Sequence, residues 1–138
     1  MDAQDLAYAL NQIVHNFGAV AVTGAAAGGR WPQGPPAAQR QRRLAWLTLG
    51  GWVAQGASGA SFGAISYASA GQLPDIHGIA VAALSLKIAC AVFGFGLCGL
   101  YLARESAWTE RQRQHAWSAL VALAAAALGA AAFLRWFS

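Results

Sequence analysis

A histidine, a lysine and a few amides stand inside stretches that are otherwise apolar, and these are the residues with chemistry to do. His15 lies in NQIVHNFGAVAVTG (Asn11 to Gly24), with Asn11 four residues and Gln12 three residues before it. At that spacing the three side chains share one face of a helix. Lys87 lies in ALSLKIACAVFGFG, far from either end of another apolar run. An imidazole offers a metal-binding nitrogen or a proton-exchanging group, and an ammonium offers a counter-charge to an anion.

The elements that must position these groups follow from hydropathy. The chain has 138 residues, of which 57% are hydrophobic and only 10% charged. Ordinary globular domains are about 25% charged, and a soluble chain this small needs many solvated side chains. Four apolar stretches stand out, at residues 6–27, 44–67, 76–103 and 116–137. As helices, each is long enough to cross about 30 Å of hydrocarbon. The expected fold is all-α: one transmembrane domain over residues 1–138, built as an integral membrane four-helix bundle.

Charge sets the expected orientation. Arg30, Arg40, Arg42 and Arg43 follow the first stretch, and Arg104, Arg111 and Arg113 follow the third. Asp2, Asp5 and Asp75 lie at the opposite ends. The positive-inside rule makes residues 28–43 and 104–115 cytoplasmic loops, with both termini on the outer, periplasmic side of an inner (plasma) membrane. Arg135, beside Trp136, is the exception and can snorkel. The net charge of +4 is thus read as topology. No basic stretch interleaved with aromatics points to nucleic acid. The acidic start lacks a basic n-region, so a cleaved signal peptide is not expected.

With the inner arginines as a common level, depths can be compared. His15 is fifteen residues from Arg30, about 22 Å along a helix, and Lys87 is seventeen from Arg104, about 25 Å. Gln55 and Ser58 fall at similar depth on the second stretch. One polar layer in the outer half therefore collects Asn11, His15, Gln55, Ser58 and Lys87. Inserting a lysine mid-membrane costs at least about 2.5–3.5 kcal/mol, so Lys87 needs an internal partner. No carboxylate shares its depth, which leaves neutral oxygens on Asn11, Gln55 and Ser58, or a group that is not protein.

His77 opens the third stretch about 15 Å above Lys87, and reads as an interfacial residue or a second metal ligand. His115 marks the inner interface. Cys90 and Cys98, about 12 Å apart on one helix, cannot bridge and read as packing residues. Gly24 with Gly28, and Gly59 with Gly63, have the spacing that lets membrane helices approach closely. GRWPQGPP (Gly29 to Pro36) cannot continue a helix, and GQLPDIHG (Gly71 to Gly78) is the expected outer turn. ESAWTERQRQH (Glu105 to His115) reads as a short inner loop or a helical extension.

HNFGAVAVTG resembles the first-helix signature of CopD-like membrane domains: histidine, apolar and small residues, then glycine nine positions on. LSLKIACAVFGFGLCGLYLAR (Leu84 to Arg104) resembles a later helix of the same domains. HemJ-type protoporphyrinogen oxidases are similar in layout, being four-helix proteins with a first-helix histidine, a buried lysine and bound haem b. The Tyr-Leu-Pro-Arg stretch of that type has no counterpart here. The single methionine argues against copper transport, since soft ligands select copper.

The resemblance implies His15 as a metal ligand and Lys87 as the partner of an anionic group. The reading that joins both lines is a haem b-binding membrane protein that transfers electrons or serves a redox complex. Its activity, if it is an enzyme, would be that of a membrane oxidoreductase. Asn11 or Gln12 would orient His15, Gln55 and Ser58 would complete the site, and the second axial ligand is unassigned, with His77 as the candidate. Other membrane redox subunits or a quinone are the expected partners, besides the bilayer. The alternatives are CopD-like copper handling and a structural subunit with no cofactor.

Overall fold

Each apolar run becomes one long helix. The computed structural model describes residues 3–31, 37–72 and 75–137. It contains α1 (Ala3–Arg30), α2 (Ala37–Ala70), α3 (Ile79–Arg104) and α4 (Glu110–Phe137), with a single 3-10 turn at Glu105–Ala107. Among the described residues there is no strand. Asp5 in the first turn of α1 and Arg30 in its last complement the helix dipole.

Three of the helices, α1, α2 and α4, are longer than their apolar runs because local signals carry them on. Thr109 and Gln112 form a reciprocal cap at the start of α4. The Gln112 N–H donates to Thr109 Oγ1 at 3.3 Å, and the Thr109 N–H donates to Gln112 Oε1 at 2.8 Å. Most of the ESAWTERQRQH segment is therefore helical, as the extension reading expects. α2 likewise starts at Ala37, so Arg40, Arg42 and Arg43 lie on its first turns rather than in a loop. Pro32 to Pro36 lie outside the described residues, as do Asp2, Leu73 and Pro74.

The turn between α2 and α3 depends on two glycines. Gly71 (φ 68) donates to the Tyr67 carbonyl at 2.9 Å and ends α2, and Gly78 (φ 54) precedes α3. Both need the left-handed region that glycine enters without strain. The third helix consequently starts at Ile79, three residues later than its hydropathy suggests.

Two of the four helices are long and apolar enough to cross a membrane: Ile79–Ala107, which includes the 3-10 turn, and Glu110–Phe137, each with mean hydropathy 2.0. The first two are long enough but less apolar. α1 carries Asn11, Gln12, His15 and Asn16 in its middle, and α2 carries glutamines, serines and glycines. The same residues that make the outer layer interesting thus weaken the hydropathy signal of the helices that bear them.

The helices pack in chain order around a square, α1 against α2, α2 against α3, α3 against α4 and α4 against α1. Trp117, Tyr101, Leu120 and Cys98 are fully buried between them. Large apolar side chains also line the outside, where Phe17 is 72% and Phe93 67% exposed. Arg42 pairs with Glu105 to tie α2 to the turn after α3, and Arg30 donates to Ser118 Oγ at 2.7 Å to tie α1 to α4.

Close approach is carried by glycines other than the two expected pairs. Gly24 and Gly59 meet open space. A Cβ on Gly18 would instead lie 3.1 Å from Ala54 Cβ, and one on Gly51 would lie 2.8 Å from Val22 Cγ2. These two glycines make the α1–α2 crossing that brings His15 and Ser58 together. Trp52 lies flat on Gly94, and Trp117 on Gly29, leaving no room for a methyl group at either glycine. Gly94→Ala should therefore lower stability by about 1–3 kcal/mol, the usual cost of an overpacked core. Thermal unfolding in detergent followed by circular dichroism measures this, with Gly24→Ala expected to be neutral.

Candidate functional site

The outer layer assembles around one imidazole. His15 on α1 stands with Nδ1 2.7 Å from Ser58 Oγ on α2, and with Nε2 2.9 Å from Lys87 Nζ on α3. α1 and α3 are diagonal in the bundle, so this contact spans its middle. An ammonium has no lone pair, so Lys87 donates and Nε2 accepts. The ring proton is then on Nδ1 and is donated to Ser58 Oγ. The Ser58 hydroxyl passes its own hydrogen to the Ala54 carbonyl one turn back. Lys87, His15, Ser58 and Ala54 thus form a directed chain of three hydrogen bonds.

Two amides brace the chain from its flanks. Asn11 Nδ2 donates to the Ser58 carbonyl at 2.9 Å, and Gln55 Nε2 donates to the His15 carbonyl. Phe62 presents an edge contact to the imidazole at 5.6 Å between centroids, and Tyr8 stacks on Phe62 at 6.2 Å. The side chain of His15 is consequently fixed by a hydroxyl, an ammonium and an aromatic ring.

The structure sorts the residues singled out from sequence. Asn11, His15, Gln55, Ser58 and Lys87 meet. Gln12 does not: it is exposed and donates to Asn16 Oδ1 at 2.7 Å. Neither Asn11 nor Gln12 touches the imidazole nitrogens, and Ser58 takes the orienting position expected of them. The partner of Lys87 is also different from the neutral oxygens expected, because the imidazole itself accepts from it. His77 lies before α3 and is exposed, with Nε2 3.2 Å from Asp75 Oδ1 and away from the cluster. Cys90 and Cys98 are buried free thiols. Among the described residues no group of three His, Cys, Asp or Glu side chains is placed to hold a metal ion.

An unpaired charge is the electrostatic feature of the site. Among the described residues no carboxylate lies within ion-pair distance of Lys87. One ammonium therefore faces one neutral base, and the cluster carries a net positive charge. The tautomer is testable. The 15N spectrum of His15 should show a protonated Nδ1 and an unprotonated Nε2. Ser58→Ala should weaken that preference, since it strands the Nδ1–H at a cost of about 1–3 kcal/mol.

A second polar cluster closes the inner end. Gln41, only 2% exposed, donates to the Gly29 carbonyl at 3.1 Å and accepts from Tyr101 OH at 3.0 Å. Tyr101 makes edge contacts with Trp108 and Trp117. Buried Thr48 lies between the two clusters on α2 and donates back to the Leu44 carbonyl at 2.8 Å. The signal for these residues is in the sequence: Gln41, Thr48 and Gln55 recur every seven residues, on the face that α2 turns to the core.

Compared with protein-family models, curated proteins and solved structures, the chain matches none.

Proposed function

We propose that this chain is a multi-pass membrane protein of the inner membrane, and that it serves redox chemistry by binding haem b at the outer cluster. The observation that carries the reading is a neutral imidazole whose tautomer is fixed by Ser58, beside an ammonium with no carboxylate to neutralise it. Metal-binding imidazoles are held in this way, with one ring N–H donated to an oxygen so that the other nitrogen is free for the metal. The apolar exterior and the two strongly apolar helices support the membrane placement. The resemblance of HNFGAVAVTG and of Leu84 to Arg104 to CopD-like helices, and of the layout to HemJ-type proteins, is what suggests the cofactor.

The donor set fits the group in one respect and constrains it in another. His15 Nε2 would be the nitrogen that holds iron, and Lys87 would be the counter-charge for a propionate. Lys87 Nζ stands 2.9 Å from that same nitrogen, so the two roles would compete for it. His77 is paired with Asp75 away from the cluster, so His15 would be its one imidazole among the described residues. When bound, haem iron supplies a one-electron couple. The residues supply the ligand, its orientation and a positive charge that stabilises an anion in a medium of low dielectric.

An absorption spectrum of the protein purified from membranes tests this. A Soret band that disappears in His15→Ala supports haem at this site. A colourless protein, or a band that survives the substitution, ends the reading, and bound copper by elemental analysis would favour metal handling of the CopD kind.

The contact between Lys87 and Nε2 favours a second reading. The pair holds one proton between two bases, and works as a proton carrier that needs no metal.

A further inference from the structure

The core face of α2 carries polar side chains where a buried face should be apolar throughout. Gln41, Thr48, Gln55 and Ser58 lie along it among Ala45, Gly51 and Trp52, and Gln41, Thr48 and Ser58 are each at most 2% exposed. From Gln41 to Ser58 the stripe is about 26 Å long, most of the thickness of a hydrocarbon core. Its outer end is the Lys87–His15–Ser58 chain, and its inner end is the Gln41–Tyr101 pair.

One indole along this line has a donor and no acceptor: Trp52 is 3% exposed, and among the described residues its Nε1 has no hydrogen-bond partner. Trp117, fully buried, packs edge-on against Tyr101, whose hydroxyl lies within its reach. Trp52 lies between Ser58 and Thr48 in height. Trp117 sits against Gly29, whose carbonyl receives Gln41. A buried N–H without an acceptor costs about 1–3 kcal/mol, and the group that most often relieves it is an ordered water. A water at the Trp52 indole would extend the outer cluster toward the Thr48 hydroxyl. A hydroxyl both donates and accepts, so Thr48 and Ser58 can each relay a hydrogen bond.

We propose that the core face of α2 is a proton path between the two ends of the bundle. A proton arriving from the outer side is taken by the Lys87–His15 pair. It passes through Ser58 and the waters held by Trp52 and Thr48, and leaves past Gln41 and Tyr101. The step moves a proton down an imposed gradient and needs no oxidant or reductant. The proposal rests on the second reading of the cluster, and a visible spectrum recorded on the same sample lets the haem reading and this one fail separately.

The test uses the full chain reconstituted in phosphatidylcholine–phosphatidylglycerol vesicles that enclose a pH-sensitive dye, with a potassium diffusion potential as the driving force. The expected result is proton uptake faster than in protein-free vesicles. Trp52→Phe, which keeps a ring on Gly94 and removes the N–H, should slow it by at least about tenfold, as should Thr48→Val. Circular dichroism and thermal unfolding verify that both variants fold. In the unsubstituted protein, the Trp52 indole proton should show a cross-relaxation peak with water. The proposal is overturned if the protein-containing vesicles are as tight as empty ones. It is overturned equally if folded Trp52→Phe and Thr48→Val conduct at the original rate, or if the indole proton sees no water.

Discussion

Lys87→Met is expected to give a bundle at least as stable as the original and, on the proposed haem reading, to reduce haem affinity by at least about tenfold, or about 1.4 kcal/mol. Methionine keeps most of the length and removes the charge. If α3 spans a membrane as proposed, removing the ammonium relieves a placement cost of about 2.5–3.5 kcal/mol on insertion scales. Against this, His15 Nε2 loses its donor, at about 1–3 kcal/mol for a buried acceptor. The two terms nearly cancel, with the balance toward stabilisation, because a buried charge seldom contributes net stability. A haem bound as proposed would have no such compensation, since among the described residues no other cation stands in the cluster to meet a propionate. Melting temperature in detergent and haem content per polypeptide measure both halves. A lower melting temperature with unchanged haem makes Lys87 a structural residue. Tighter haem binding means that the ammonium only competes with iron for Nε2, and would overturn its role as counter-charge.

The depth of the site was legible because rise per residue is fixed. Counting from the arginines places His15, Ser58 and Lys87 in one layer, and these three side chains do meet. The partners within that layer were not legible. Helical spacing puts Gln12 on the face of His15, yet the rotation of α1 against α2 leaves it outside, bonded to Asn16. That rotation is set by Gly18 and Gly51, whose pairing across two helices has no signature within either one. The GxxxG pairs that do have a signature, Gly24 with Gly28 and Gly59 with Gly63, mislead for the same reason, since Gly24 and Gly59 face open space. Helix ends were legible where a local cap decides them, as at Thr109 and Gln112. They were not where hydropathy alone was used, as at the start of α3, which Gly78 delays. The polar stripe of α2 was present in the seven-residue recurrence of Gln41, Thr48 and Gln55. Hydropathy averaging hides it, because glycine and alanine fill the positions between.

His15→Ala should also lower stability, and its sign in combination is the sharper test. Alone, the substitution strands Lys87: its only hydrogen-bond partner among the described residues is removed, and no carboxylate is near. Breaking a buried charged contact from one side costs about 3–5 kcal/mol. Lys87 is half-buried, so a smaller loss of about 2 kcal/mol is expected here. Ser58 contributes little to the loss, because its hydroxyl keeps the Ala54 carbonyl. Adding Lys87→Met to His15→Ala removes the stranded ammonium. The double variant should therefore be more stable than His15→Ala by about 2 kcal/mol, within the usual range of coupling for side chains in contact. Few pairs of core substitutions improve on the single one, so the sign is diagnostic. Additive losses in denaturant or thermal unfolding would mean that the two side chains do not act on each other. A double variant weaker than either single would place the contribution of His15 in its packing against Phe62 instead.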